Sequence, residues 1–156
     1  MPLRLSRLAL VLLVLVSVPL LRAQREKFPE EDLAFIEKTW PDAQKDNMGI
    51  RYIVEKPGNG PLPVPGNLVA VLYRGQLLDG TVFDQSLDRN RPFTFRVGRE
   101  LVIQGWDFVI QQMRLGEKRI VIIPAELGYG TRGSAPRIPR NATLVFEVEL
   151  IDIKRE

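Results

Sequence analysis

Aromatic and aliphatic side chains between Tyr73 and Phe146 fall into short motifs that read LYRG, TVFDQS, RPFTF, VIQGW, LGYG and NATLVFEVEL. One carboxylate, Asp84, stands directly beside a ring in the second motif. Ligand pockets are commonly lined by many apolar groups and a few convergent polar ones. The pattern therefore predicts the wall of an apolar binding pocket, with Asp84 as its polar handle.

The residue types that the chain lacks exclude whole classes of mechanism. It contains no cysteine and no histidine. Disulfides, a thiolate nucleophile, a Ser-His-Asp triad and a zinc site built on nitrogen or sulfur ligands are therefore excluded. We expect any catalysis to proceed without an imidazole, a metal or a cofactor.

From about Gly49 to its end, the chain resembles the FKBP-type peptidyl-prolyl isomerases, a family that binds macrolide immunosuppressants. The resemblance rests on VLYRGQLLDGTVFDQS, FTFRVG, VIQGWDFVIQQMRLGEK, PAELGYG and ATLVFEVELIDI. Several motifs in the right order are far more specific than any one of them. The resemblance implies a twisted antiparallel sheet wrapped around one short α-helix, with the pocket between them.

The resemblance also assigns roles to individual residues. It implies catalytic roles for Tyr73, Asp84, Ile103, Trp106 and Tyr129, and substrate-binding roles for Phe83, Arg89, Phe93, Val102, Ile138 and Phe146. In the family, the indole that matches Trp106 forms the floor under the substrate proline. The backbone amide matching Ile103 and the hydroxyl matching Tyr129 reach the carbonyl groups of the bound backbone.

The role of Asp84 stays open at this point. Burying a carboxylate among aromatic rings is costly unless it is paired, and the resemblance gives it Arg89 and the Tyr73 hydroxyl as partners. Asp84 either orients the pocket or places a dipole against the twisting carbonyl.

The implied reaction is rotation about an X-Pro peptide bond, which needs no nucleophile. Rotation about a peptide bond costs about 18–20 kcal/mol because resonance stabilises the planar amide. A twisted amide has lost part of that resonance, so a dry aromatic pocket would favour it over the planar ground state. The expected clients are proline-containing exported proteins, and macrolides are the expected inhibitors. The alternative is a module that only holds proline-containing or apolar segments.

The loop after Tyr129 departs from the family pattern. Ser134, Ala135 and Arg137 replace residues that are more often His, Pro-Gly or aliphatic, which leaves client preference and macrolide affinity open. Arginines crowd together twice, at Arg89, Arg91, Arg96 and Arg99 and at Arg132, Arg137 and Arg140. They are either solvated loop side chains or a rim that favours acidic client segments.

The first 23 residues have the pattern of a secretory signal peptide. MPLRLSR carries two arginines and no acid, and the apolar run LALVLLVLVSVPLL follows it. This run is shorter than the roughly 18 apolar residues expected of a spanning helix. We expect cleavage after Ala23 and export to the periplasm, with an uncleaved membrane anchor as the alternative.

The charge balance of the remaining chain gives no indication of nucleic-acid binding. Arg4, Arg7 and Arg22 lie in the signal segment, so 19 of the 22 basic residues remain, equal to the 19 acidic ones. Binding to nucleic acid would need a clustered basic excess.

A helical extension over residues 24–48 is predicted to precede the isomerase domain at 49–156. Pro29 suits a first helical turn, and Leu33, Ile36 and Trp40 fall near one face before Pro41 ends the helix. This face either packs on the core or forms a dimer or partner contact through Trp40.

The pattern after Gly49 predicts mainly strands. We expect strands at 50–56, 67–74, 93–97, 118–123 and 143–153, and one helix at 100–113. Asp79-Gly80 is expected to occupy both central positions of a hairpin turn that favours positive φ. One short helix against an antiparallel sheet is an α+β arrangement.

Overall fold

The computed structural model describes residues 25–155. The predicted signal peptide at 1–23 lies outside them. Among the described residues, no helix has the length and apolar character needed to cross a bilayer.

Two α-helices, seven strands and one short 3-10 helix, Ala125–Leu127, make up the described fold. In chain order the α-helices and strands are α1 Glu30–Thr39, β1 Gln44–Lys45, β2 Arg51–Lys56, β3 Leu68–Leu77, β4 Val82–Ser86, β5 Phe93–Arg96, α2 Gln104–Ile110, β6 Lys118–Ile123 and β7 Leu144–Lys154. Every strand pair is antiparallel, in the order β1-β2-β6-β7-β3-β4, and β5 also pairs with β3. The predicted α+β class and the antiparallel sheet are confirmed.

The inner face of the sheet packs on α2. Side chains alternate along a strand, so Val121 and Ile123 of β6 point to the same face. They join Trp106, Val109 and Ile110 of α2 in the main buried cluster. A methyl group at Gly105 would lie 2.7 Å from the Ile123 side chain, so glycine at this position lets α2 approach the sheet closely.

The outer face of the same sheet is covered by α1. Phe28 and Ile36 form a second buried cluster with Ile122 and Val145, which point away from α2. The first turn of α1 is also tied to the domain, because the Thr143 hydroxyl donates to Asp32 at 2.6 Å. The predicted helix therefore packs on the core of its own chain, and β1 adds a short strand from the same segment.

Two local predictions were wrong. In the β3–β4 hairpin only Gly80 has a positive φ, of 87°, and its amide bonds to the Leu77 carbonyl. The central residues of the turn are therefore Leu78 and Asp79, in a three-residue loop that ends on glycine. The helix predicted from residue 100 begins at Gln104, because Glu100 has a φ of 56° that no helix accommodates.

Candidate active site

A cavity of about 210 Å³ opens between α2 and the inner face of the sheet. Its lining is formed by Tyr73, Phe83, Asp84, Phe93, Leu101, Val102, Ile103, Trp106, Tyr129 and Phe146. The structure thus brings together all the predicted site residues except Arg89 and Ile138. Leu101 is additional, and its 66% exposure places an apolar side chain at the rim.

Trp106 lies at the centre of an aromatic cluster. Its ring centroid is 4.8 Å from that of Tyr73 at an interplanar angle of 88°, and 5.3 Å from that of Phe146 at 73°. Phe93 meets it at 6.0 Å and 72°. Edge-on contacts of this kind are favoured by the ring quadrupoles. The rings therefore hold one another in a fixed concave arrangement, with little freedom to collapse into the cavity.

Gly75 is a pocket residue that sequence reasoning missed. It lies opposite Asp84 on one side and Phe146 on the other. A methyl group here would lie 2.7 Å from atoms of the Phe83 and Phe146 rings. The signal was present in the sequence, because Gly75 follows Tyr73 by two residues and shares its face of β3.

Asp84 is exposed at the mouth of the pocket, so this carboxylate avoids the cost of burial among the rings. It lies on β4, an edge strand of the sheet, where one side borders solvent. Its Oδ2 accepts a hydrogen bond from the Tyr73 hydroxyl at 2.5 Å, as the resemblance implied. The buried partner is thus the phenol, and Asp84 satisfies a donor that would otherwise lose its hydrogen bond on folding.

Both tyrosines of the pocket stay protonated over the physiological pH range. Burial, followed by the hydrogen bond to Asp84, raises the pKa of Tyr73 well above its ordinary value. Burial also raises the pKa of Tyr129, and the charge of Asp84 adds to this shift.

Arg89 does not pair with Asp84, contrary to the expectation. Its guanidinium binds the Glu149 carboxylate at 2.7 Å. Glu149 points to the outer face of β7, because its neighbours Val148 and Leu150 belong to the inner cluster. Arg89 therefore lies on the opposite side of the sheet from the pocket.

Ile138 lies beside the pocket rather than in it. It is 5% exposed and lines an adjoining cavity with Phe83, Asp84 and Tyr129. It therefore supports the pocket wall from behind and borders the loop that overhangs it.

Asp107 holds the loop that carries Leu101, Val102 and Ile103, and sequence reasoning missed it as well. This buried carboxylate accepts hydrogen bonds from the backbone amides of Gly98 at 2.9 Å and Glu100 at 2.8 Å. Both of these residues have positive φ, at 70° and 56°. One side chain next to Trp106 thus fixes an unusual backbone turn at the rim. An acid within the apolar run IQGWDFVI was the available signal.

Three hydrogen-bond donors of the pocket have no partner among residues 25–155. The indole Nε1 of Trp106 is buried without an acceptor. Neither the Ile103 amide nor the Tyr129 hydroxyl donates to another described residue, whereas the Ile103 carbonyl accepts from α2. Buried polar groups are nearly always paired, and exceptions are often explained by function. The Ile103 amide and the Tyr129 hydroxyl belong to residues that are not buried, and they are suited to a ligand that presents carbonyl oxygens.

An aromatic pocket with unpaired donors at its rim is suited to non-covalent binding of a ligand that carries carbonyl groups. Comparison with known proteins gives the family. Residues 60–151 match the family described as FKBP-type peptidyl-prolyl cis-trans isomerase. The chain belongs to this family, and its reaction class is peptidyl-prolyl cis-trans isomerisation.

Individual relatives cover different shares of their own length. FK506-binding protein 1A of Aspergillus fumigatus is 47% identical over 70% of this chain and 98% of its own. Peptidyl-prolyl cis-trans isomerase FKBP2 of Homo sapiens is 54% identical over 58% of this chain and 63% of its own. A crystal structure of a peptidyl-prolyl cis-trans isomerase from Pseudomonas syringae pv. tomato superposes with a TM-score of 0.71 at 36% identity, covering 80% of this chain and 92% of that one.

Proposed function

We propose that this isomerase accelerates rotation about X-Pro bonds in exported proteins by stabilising the twisted amide through non-covalent contacts alone. The observation that carries the mechanism is the pocket itself, with Trp106 at the centre of a fixed set of rings. The described side chains of the pocket include neither a thiol nor an imidazole, and the reaction requires no nucleophile.

The apolar walls favour the transition state over the ground state. As the amide twists it loses resonance, so its carbonyl oxygen carries less negative charge and needs less solvation. The edge-on rings around Trp106 keep the pocket shape without a ligand, so binding does not have to order them.

The unpaired donors supply orientation. The Ile103 amide and the Tyr129 hydroxyl can each bind a backbone carbonyl of the client, one on each side of the proline ring. Fixing the flanking backbone lowers the entropy lost when the bond twists. In this mechanism Asp84 is a positioning residue, which holds the Tyr73 hydroxyl and so the ring that packs against Trp106.

The same pocket is proposed to take macrolides, since the relatives from Aspergillus fumigatus and Dictyostelium discoideum are named for FK506 binding. The chain has two tryptophans, Trp40 on the far side of the sheet and Trp106. In a Trp40→Phe background, quenching of the remaining fluorescence by FK506 would report occupancy of the pocket. The departures at Ser134 and Arg137 would set the affinity.

Export is supported by the basic and apolar pattern of residues 1–23. The test is the intact mass of the protein recovered from the periplasmic fraction. Loss of the mass of residues 1–23 supports cleavage and export, and full-length protein in the membrane fraction supports an anchor.

The isomerase proposal is tested by the exchange rate of a short X-Pro peptide in magnetisation-exchange NMR. The protein should accelerate exchange, and Trp106→Ala and Asp84→Leu should both reduce the effect. Circular dichroism checks that each variant is folded. If the folded protein leaves the exchange rate unchanged, the catalytic proposal is wrong and the pocket serves binding only.

A further inference from the structure

A second cavity, of about 310 Å³, adjoins the aromatic pocket. The two cavities share Phe83, Asp84 and Tyr129, and the loop from Ser134 to Ile138 forms the rest of the second one. A client whose proline occupies the aromatic pocket would therefore place a residue next to the proline in this second cavity. Its lining is then in a position to select among clients.

Arg137 is the basic residue in the lining of the second cavity, and the structure holds it in place. Its Nη1 donates to the Phe83 carbonyl at 3.2 Å. Backbone hydrogen bonds between Ser134 and Ile138, of 2.8 and 2.9 Å, close the loop on both sides of it. A guanidinium has five N–H donors, so others remain for a ligand after the bond to Phe83.

The loop that lines this cavity is basic, and one acid, Asp84, faces it from β4. Residues 127–146 contain three arginines and neither aspartate nor glutamate. Glu126, just before this segment, is paired with Lys27. Asp84 is the acid in the lining, and its Oδ2 already accepts from Tyr73. The Ser134 hydroxyl adds a further donor to the lining.

We propose that this cavity is a subsite for an acidic side chain directly beside the client proline, and that Arg137 is the residue that determines the preference. The proposal rests on the isomerase function given above. A guanidinium matches a carboxylate in shape and charge, and can bind both of its oxygens. Because Arg137 is exposed, the gain is that of a solvent-exposed ion pair, a factor of roughly two to five.

The experiment compares peptides that differ in one residue. Two series carry Glu, Gln or Lys, either immediately before or immediately after the proline, and kcat/KM is measured by NMR exchange. In one of the series we expect Glu to exceed Gln by about two- to fivefold and Lys to fall below Gln. At 1 M salt, where the screening length is about 3 Å, the three rates should converge.

Variants assign the preference to one side chain. Arg137→Gln should bring the Glu/Gln ratio to one, Arg137→Glu should favour the Lys peptide, and Arg137→Lys should retain the preference for Glu. Arg132→Gln and Arg140→Gln remove the same charge elsewhere in the loop, and should leave the ratio near its original value.

Two results would overturn the subsite. One is a Glu/Gln ratio near one in both series. The other is a ratio that Arg140→Gln lowers as much as Arg137→Gln does, since the preference would then come from the general charge of the loop. Failure to accelerate the Gln peptides is a different result, and it would contradict the isomerase function rather than the selectivity.

Discussion

The substitution Gly75→Ala tests whether the aromatic pocket requires a residue without a side chain at position 75. The added methyl carbon would lie 2.7 Å from ring atoms of both Phe83 and Phe146. Non-bonded carbons prefer separations of about 3.5–4.0 Å, so the rings must move by about 1 Å. Phe146 packs edge-on against Trp106 on its other side, and the cavity is open space that both rings border.

The expected effects on stability and activity have separate causes. Inserting a methyl group into a packed site costs about 1–3 kcal/mol. A misplacement of about 1 Å at a catalytic site can cost up to a hundredfold in rate. We therefore expect kcat/KM for an X-Pro peptide to fall about 10- to 100-fold, with a folded protein that is moderately less stable.

Gly80→Ala is the matched control. Gly80 has a φ of 87° and no atom within 4 Å of the added methyl group. The strain of a left-handed alanine is about 1–2 kcal/mol, comparable with the cost expected at Gly75, but it arises in a turn outside the pocket. The free energy of unfolding is measured in urea, and activity is measured well below both melting temperatures.

The reasoning fails if folded Gly75→Ala keeps kcat/KM within about twofold of the native value. It also fails if Gly80→Ala loses as much activity as Gly75→Ala, because the loss would then follow stability rather than the pocket. A structure of Gly75→Ala with both rings in their original positions would contradict the steric argument directly.

Three further predictions address the polar groups. Tyr73→Phe removes the donor to Asp84 Oδ2 and should cost about 1 kcal/mol of stability and a few-fold in rate. A double-mutant cycle with Asp84→Ala should show a coupling of at least about 0.5 kcal/mol, and additive effects would count against the positioning role. Asp107→Asn leaves one of two backbone amides without its acceptor, so it should lower the free energy of unfolding by about 1–3 kcal/mol and raise KM. Asp79→Asn, in an exposed turn, is the control and should change both quantities little. If the two variants have equal effects on urea unfolding and on KM, Asp107 is not a buried anchor. Because the pKa values of Tyr73 and Tyr129 are raised above the ordinary value of 10.0, the rate should be constant from pH 7 to 10, and a loss of rate below pH 9 in folded protein would contradict this. Above pH 10 the unfolded tyrosines release their protons before the folded ones do, so the free energy of unfolding should decrease as the pH rises.

The sheet and the pocket rings were predictable because their information is local. β6 is a short run rich in β-branched residues and β7 is a long, largely alternating one, and both formed within a residue of the predicted bounds. The turn at Gly80 was predicted in position but not in type. Aspartate and glycine suit several hairpin turns, and the register of the two strands is fixed only when they pair.

The start of α2 was not predictable from helical periodicity. The helix begins later than its apolar pattern predicts because the Asp107 carboxylate accepts hydrogen bonds from the amides of Gly98 and Glu100. These bonds stabilise a turn in place of a first helical turn. A competing hydrogen bond of this kind depends on which groups meet in space. Pattern reasoning counts only neighbours along the chain.

By itself, the sequence determined the family, the antiparallel sheet, the set of rings and the exclusion of thiol- and imidazole-based catalysis, because motif order, alternation and composition are properties of the chain. Only the tertiary structure decided which charged groups meet. It placed Arg89 on the outer face with Glu149, left Asp84 exposed on an edge strand, and brought Arg137 to the Phe83 carbonyl. A long charged side chain pairs with whichever opposite charge or carbonyl lies within a few ångströms of its end. Those distances are set by strand register and loop closure, which the sequence does not display.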